Sequence, residues 1–186
     1  NTAVGNQALQ NNTIGYDNTA VGRNALIANT TGIRNAAFGN LTLDANTTGN
    51  YNSAFGTYAL GSNTTASYNT ATGYQALYSN TTGANNTANG YQALESNITG
   101  TENVAVGLSA LLSNTTGANN VAIGSNTLYF NTANNNTAVG HHSLYANTVG
   151  SSNVSIGFTS MQRNTTGAGN VATGMNSLRE NTTGYH

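Results

Sequence analysis

A seventeen-residue unit repeats along the whole sequence, and this period constrains the fold more than any other feature. The unit reads G-x-x-A-L-x-x-N-T-T-G-x-x-N-[TV]-A-[VIF] and occurs eleven times. Its first glycine recurs in step from Gly5 to Gly174, and only the unit between Gly124 and Gly140 is shorter, by a single position. A fixed period of this order with several constant columns is typical of repeat architectures. We therefore predict a single array over residues 1–186, without an internal domain boundary.

The composition of the unit favours strands and turns over helix. Each unit carries glycines, two fixed asparagines and several threonines, which are unfavourable or neutral inside a helix. A unit of this length cannot bury an apolar face alone, but coils stacked about 4.8 Å apart turn each column into a continuous ladder. The predicted fold is an all-β parallel β-solenoid, or β-roll, of eleven coils and about 50 Å in length.

Two asparagine columns are constant in all eleven units. We interpret both as ladders of stacked amides, in which each amide donates to the amide oxygen of the next coil and to nearby turn backbone. The first column includes Asn29, Asn46, Asn63, Asn80, Asn97 and Asn114, and the second includes Asn18, Asn35, Asn52, Asn103 and Asn120.

Apolar columns predict the core. The leucine column includes Leu26, Leu60, Leu77, Leu94 and Leu111 and changes only to Met161. We also expect the variable apolar column to be buried, and it comprises Val4, Val21, Phe38, Phe55, Val106, Ile123, Val139 and Ile156. The column immediately before it is alanine apart from Ser155, which indicates a place where another backbone comes close. The two extended runs of a coil are expected at 120–123 and 109–112, with glycine at the corners supplying positive φ.

The single short unit is expected to lose its residue in a turn, where Thr132-Ala133-Asn134 replaces T-T-G-x. Loops absorb length changes that ladders cannot.

The first asparagine column also offers sequons for N-glycosylation. The competing interpretation is the buried ladder, which is favoured because Asn12, Asn131 and Asn147 persist where Ile14, Ala133 and Val149 remove the sequon. The candidate glycan sites are Asn29, Asn46, Asn63, Asn80, Asn97, Asn114, Asn164 and Asn181.

Charge is scarce, and this argues against electrostatic partners. The chain has four basic and five acidic residues, a net charge of −1, and charged residues make up 5% of it. No basic patch is available for nucleic acid or an anionic membrane, and no apolar run approaches the length of a membrane span. We expect neither nucleic-acid binding nor membrane insertion in this segment.

Nothing in the sequence predicts catalysis, a cofactor or a metal. The five carboxylates lie in variable columns without the spacing of an acid and base pair, and there is neither cysteine nor lysine. His141 and His142 are adjacent, so on an extended segment they are expected to point to opposite faces and not to share a metal.

Short strings in the repeat resemble a known family. NNVAIG (119–124), SNVSIG (152–157) and ENVAVG (102–107) are similar to the signature of the head repeats of trimeric autotransporter adhesins, and the wider unit is similar to repeats in bacterial cell-surface and phage tail-fibre proteins. The resemblance implies a left-handed parallel β-roll, three chains side by side, and an adhesive rod displayed outside the cell or virion.

The leading functional prediction is a structural, extracellular fibre or adhesin segment that associates with itself as a homotrimer or filament. The chain ends in phase with its own start, which predicts either a piece of a longer array or subunits stacked end to end, with His186 against Asn1. The ten tyrosines lie mostly in variable columns and are expected outside, where they contact neighbouring chains or cell-surface glycans.

The alternative function is ice binding by a threonine ladder. This column is interrupted only by Ile98 and is regular enough to order water. It comprises Thr13, Thr30, Thr47, Thr64, Thr81, Thr115, Thr132, Thr148, Thr165 and Thr182.

Overall fold

The computed structural model describes residues 1–185 and shows a parallel β-solenoid. Eleven strands form one sheet in chain order, and every neighbouring pair is parallel. The predicted all-β fold class is confirmed. The strands are β1 Thr2–Val4, β2 Thr19–Val21, β3 Ala36–Phe38, β4 Ser53–Phe55, β5 Thr70–Thr72, β6 Thr87–Asn89, β7 Val104–Val106, β8 Val121–Ile123, β9 Thr137–Val139, β10 Val154–Ile156 and β11 Val171–Thr173.

The register of the sheet follows the repeat. Ala37 of β3 pairs with Ala54 of β4, the same position one unit later. Across the short unit, Val121 of β8 pairs with Thr137 of β9, so the strands stay in step although one residue is missing. The length change is therefore absorbed outside the strands, as predicted.

Each coil contains one strand, not two. The segment 109–112 was expected to be extended, but it is a turn in which Ser109 and Leu111 have φ of 51° and 53°. The same left-handed conformation recurs along both columns, at a cost of about 1–2 kcal/mol for each non-glycine residue. Burial of leucine offsets this cost, and Leu111 N–H also donates to Thr127 O at 3.0 Å in the next coil.

The strand wall of the core is made of alanine, and not of the variable apolar column as predicted. Side chains alternate across a strand, so the middle residue of β2 to β11 points inward and is buried, and the flanking residues point outward. The variable apolar column was therefore wrongly assigned to the core: Val4 is 57% exposed and Phe55 42%. Leucine fills the interior from the opposite wall, and Leu26, Leu43, Leu60, Leu77, Leu94, Leu111, Leu128 and Leu144 are fully buried.

Glycine is required at the corner that follows each strand. Gly56 has φ of 132°, and a Cβ there would lie 2.6 Å from Gly73 O of the next coil. At the second glycine of the unit the constraint is space and not φ, since a Cβ on Gly83 would lie 2.3 Å from Gly100 O, and alanine replaces this glycine only at Ala66 and Ala133. Positive φ at the first corner was predicted and is confirmed. The predicted contact between His186 and Asn1 involves a residue outside the described part of the chain.

Candidate functional surfaces

The first asparagine column forms an amide ladder in the N-T-T-G turn, which we call the turn ladder. Asn80 Nδ2 donates to Asn63 Oδ1 of the preceding coil at 3.0 Å and to Gly83 O of its own turn at 2.9 Å. Asn97 repeats both bonds one coil later, at 2.8 Å and 3.0 Å. The ladder was predicted, but the donation runs to the preceding coil and not to the next.

The second column, which we call the strand ladder, precedes each strand. Asn69 Nδ2 donates to Gly83 O at 3.0 Å, so this one carbonyl receives an amide from each ladder. Asn69 Oδ1 in turn accepts the backbone N–H of Asn86 at 3.0 Å. The strand ladder therefore closes each coil on itself and also joins it to the next.

Both ladders are buried, which explains why the asparagines do not vary. A buried polar group is tolerated when its donors and acceptors are satisfied, and asparagine supplies both kinds in one short side chain. The fully buried members include Asn29, Asn46, Asn52, Asn63, Asn69, Asn80, Asn86, Asn97, Asn103, Asn114, Asn120, Asn136, Asn147, Asn153 and Asn164.

Burial of the turn ladder bears directly on the candidate glycan sites. A glycan would replace a proton of Nδ2, and in Asn46 both bonds of that nitrogen, to Asn29 Oδ1 and to Gly49 O, lie inside the protein. Attachment after folding would break the ladder. The expected mass of native protein is therefore that of the unmodified polypeptide, and intact-mass spectrometry tests this.

The threonine column of the ice-binding alternative uses its hydroxyl protons within the coil stack. Thr47 Oγ1 donates to Thr64 O at 3.0 Å, and Thr148 Oγ1 donates to Thr165 O at 3.0 Å. The next position holds a threonine in six successive turns, and in each of these turns it is exposed. We call this row the outer threonine row: Thr31, Thr48, Thr65, Thr82, Thr99 and Thr116.

The outward side of the sheet, which we call the strand face, is made of the first and third residues of the strands. Phe38 and Phe55 stack on it, with ring centroids 5.0 Å apart and an interplanar angle of 8°. Ile123 and Ile156 continue the same column and are 41% and 42% exposed. None of the nine charged residues of the chain belongs to a strand. The strand face is therefore uncharged along the solenoid, and its apolar part is interrupted at β5 and β6 by Thr70, Thr72, Thr87 and Asn89.

Aromatic side chains on the turns form two larger clusters, apart from the separate stacked pair of Tyr51 and Tyr68. Rings of Tyr74 and Tyr91 stack with centroids 5.5 Å apart, and Tyr58 meets Tyr74 and Tyr78 edge to face. The second cluster is continuous over six rings: Tyr129, Phe130, His141, His142, Tyr145 and Phe158. The expected outward position of the tyrosines is found here, but the clustering was not predicted.

The two histidines do not point to opposite faces. Their ring centroids are 3.9 Å apart at an interplanar angle of 28°, because His142 lies in a turn with φ of 55° and not in an extended segment. Burial, and secondarily the charge of His141, lowers the pKa of His142. His141 also stacks on Phe158, with centroids 5.4 Å apart.

The few charged side chains lie on the turns. The hydrogen bond from Arg34 to the Tyr51 hydroxyl raises the pKa of the guanidinium, and Arg34 also pairs with Asp17 at 3.5 Å. Burial raises the pKa of the half-buried Asp44 carboxyl. Exposed ion pairs contribute little to stability, so these charges affect solubility more than folding.

Residues 1–185 contain no cavity and no group of three or more His, Asp or Glu side chains placed to hold a metal ion. Over the same residues no helix is long and apolar enough to cross a membrane. The surfaces that offer groups to a partner are the strand face, the outer threonine row and the aromatic clusters.

No protein-family model, curated protein or solved structure matches the chain. The likeness to adhesin head repeats accordingly remains a likeness of short strings.

Proposed function

We propose that this chain is a segment of an extracellular structural rod or adhesin that associates laterally with copies of itself. The observation that carries the proposal is the strand face, where Val, Ile and Phe side chains lie exposed in a row free of charge. Soluble monomers rarely expose contiguous apolar patches larger than a few hundred Å².

The size of the strand face fits a protein interface. Eleven strands at a spacing of about 4.8 Å give a strip about 50 Å long. With a width of about 10 Å this amounts to about 500 Å² per copy, or about 1,000 Å² in total, near the lower limit for a specific interface.

A second copy of the chain is the partner that fits this strip best. It presents the same uncharged columns at the same coil spacing, so in a parallel pair Phe55 of one copy meets Phe55 of the other, Ile156 meets Ile156, and the polar residues of β5 and β6 meet their own counterparts. A charged partner gains nothing here, because the strand face offers no ion pair. Two or three copies can bury the strip around a common axis.

Lysine substitutions on two faces of the same coils test the proposal. We expect Phe55→Lys with Ile156→Lys to give a monomer by sedimentation, because two charges would be buried between copies without partners. The control is Thr65→Lys with Thr166→Lys, which adds the same charge to exposed turn positions in the same coils and should keep the oligomer. A wild-type chain that sediments as a monomer at high concentration would contradict the proposal.

End-to-end association is a second form that this self-association can take, because each coil pairs with the next by the same in-register bonds, as Ala37 of β3 does with Ala54 of β4, and a further coil can add in the same way. We expect fibres with a meridional spacing of about 4.8 Å. Short particles without end-to-end contacts at high concentration would contradict this part of the proposal.

The aromatic clusters support a proposal that the rod binds neutral cell-surface glycans. Tyr74 and Tyr91 are 42% and 50% exposed, and the amide of Gln92 donates to that of Gln75 beside them. Aromatic rings with adjacent amides suit ligands that are apolar on one side and hydroxylated on the other. Binding on a neutral-glycan array should be lost in Tyr74→Ser with Tyr91→Ser and retained in the control Thr65→Ser; equal binding by both contradicts the glycan proposal.

Ice binding is the second candidate, and the outer threonine row is the observation that favours it. These exposed hydroxyls recur in six successive coils at the coil spacing. Thermal hysteresis of the wild type that disappears in Thr65→Tyr with Thr99→Tyr, but not in Phe55→Tyr, would support it. Absence of hysteresis at micromolar protein would remove it.

A further inference from the structure

The short unit leaves one joint in the solenoid that differs from the others. Coil 7 (103–119) is followed by coil 8 (120–135), which is shorter by one residue in its turn. The strands of the two coils remain paired, with Val104 opposite Val121. The difference is confined to the turn side, and we call the contact between these coils joint 7/8.

A regular joint is bonded along the N-T-T stretch of the turn as well as on the strand side. In joint 3/4, between coils 35–51 and 52–68, the N–H groups of Thr47 and Thr48 both donate to Thr64 O, at 2.9 Å and 3.3 Å. The Thr47 hydroxyl donates to the same oxygen at 3.0 Å. Asn63 Nδ2 completes the joint by donating to Asn46 Oδ1 at 2.9 Å.

The corresponding N-T-T bonds are missing from joint 7/8. Within the described chain, neither N–H nor hydroxyl of Thr115 donates to Thr132 O, and the N–H of Thr116 has no partner in coil 8.

Bonds on either side of this stretch persist in joint 7/8. On the leucine side, the N–H groups of Leu111 and Ser113 each donate to the next coil at 3.0 Å. After the stretch, Ala118 N–H donates to Asn134 Oδ1 at 2.7 Å, and Asn135 N–H donates to Ala118 O at 3.0 Å. Joint 7/8 therefore has a gap in its bonding that is confined to the N-T-T stretch.

The turn ladder itself is interrupted at this joint. Asn131 Nδ2 donates to Ala133 O of its own turn at 2.9 Å and does not reach Asn114. Asn114 Oδ1 is consequently a buried amide oxygen without a hydrogen-bond partner among the described residues. Asn131 Oδ1 meanwhile accepts from both Asn136, at 3.1 Å, and Asn147, at 2.7 Å, which ties coil 8 to coil 9.

We propose that joint 7/8 is a built-in opening point at which the rod separates locally into coils 1–7 and coils 8–11. An unpartnered buried oxygen favours the open state, because opening gives it water. Each coil of a solenoid contacts only its neighbours, so a weak contact lowers the cooperativity at that place and not elsewhere. A rod under bending or pulling load then yields at a defined position and keeps both halves folded.

Hydrogen exchange on the complete chain tests the proposal at amides that are bonded across both joints. Leu111 and Ser113 report on joint 7/8, and Leu43 and Ala45, whose N–H groups donate at 3.1 Å to Ala59 O and Gly61 O, report on joint 3/4. The joints lie at similar distances from the two ends, so fraying affects them alike. We expect the amides of Leu111 and Ser113 to exchange at least about tenfold faster than those of Leu43 and Ala45.

Two length variants test the cause. Insertion of threonine between Thr132 and Ala133 restores the turn and should slow exchange at Leu111 and Ser113 to the rate of joint 3/4. Deletion of Thr65 leaves Thr64 followed by Ala66, the same arrangement as in coil 8, and should accelerate exchange at Leu43 and Ala45 about tenfold or more.

Equal exchange at the two joints of the wild type would overturn the proposal. Faster exchange at joint 7/8 that persists in the insertion variant would overturn it as well, since the missing turn bonds would then not be the cause. If the insertion variant does not fold, judged by circular dichroism, the Thr65 deletion decides: unchanged exchange at Leu43 and Ala45 contradicts the proposal, and faster exchange supports it.

Discussion

The asparagine ladders and the strand face of this solenoid reverse the usual relation between polarity and burial. Asparagine, a polar residue, is buried and constant in two ladders, whereas the residues of the strand face are exposed or half-buried and vary among Val, Ile, Phe, Ala, Ser, Thr and Asn. The constant columns of the interior are therefore of two kinds: asparagines that donate and accept hydrogen bonds at the coil spacing, and the apolar leucine and alanine columns beside them.

The geometry of the coil explains the contrast. In the turn ladder each amide must donate twice and accept once from the next coil, as Asn80 does toward Asn63, Gly83 and Asn97. Aspartate lacks the donor, serine has one donor at most, and glutamine is longer by one methylene. The strand face meets no such requirement, so many side chains are compatible with folding there.

The largest effect is expected when a charge is placed inside the coil. Leu77→Asp puts an unpaired carboxylate in the buried leucine column and should lower the free energy of unfolding by more than about 4 kcal/mol. Tyr78→Ala removes the next side chain, which is half-buried and meets the Tyr58 ring edge to face, and should cost about 1–2 kcal/mol. Circular dichroism of the β-sheet under denaturant measures both, and equal losses would contradict the assignment of the leucine column to the core.

A pair of asparagines in coil 6 compares inside and outside with the same residue type. Asn97→Ala leaves Asn80 Oδ1 and the Asn114 amide without their partner, and should lower the free energy of unfolding by about 2–4 kcal/mol. Asn89→Ala, on the exposed strand face, should change it by less than about 0.5 kcal/mol. Similar losses in the two variants, measured by denaturant titration, would show that the buried ladder contributes no more than an exposed amide.

The smallest effect is expected from the two threonines of one turn. Thr47→Val removes the hydroxyl that donates to Thr64 O but keeps the shape of the side chain, and should cost about 0.5–1.5 kcal/mol. Thr48→Val changes an exposed residue of the outer threonine row and should cost less than about 0.5 kcal/mol. The same denaturant titration measures both, and a larger loss for Thr48→Val would reverse the assignment of the two columns.

The columns of the repeat were sufficient to predict the solenoid and its ladders. Constant asparagines imply stacked amides, and a short period with corner glycines implies a parallel solenoid, as the pairing of Ala37 with Ala54 confirms. The columns could not show which side of the strand faces inward, because Val21 and Ala20 are both compatible with burial. The side is decided by the narrow interior, which admits alanine from the strand wall.

The turn around the leucine could not be predicted from local preferences. Leucine rarely adopts left-handed φ, yet Leu26, Leu60 and Leu94 all do so because burial and coil-to-coil bonds hold them there. The stacking of His141 on His142 likewise depends on turn geometry that the sequence did not predict. The short unit did mark the turn next to Asn114, but the bonds lost there could be identified only from the structure.

Exchange of the asparagine side-chain amide protons, followed by NMR, tests most directly whether the asparagine ladders are buried and hydrogen-bonded. We expect the Nδ2 protons of Asn63, Asn80 and Asn97 to exchange more than about tenfold slower than those of the exposed Asn85 and Asn89, because the ladder protons are bonded and inaccessible to water. Equal exchange rates for the ladder and the exposed asparagines would contradict a buried, hydrogen-bonded amide interior.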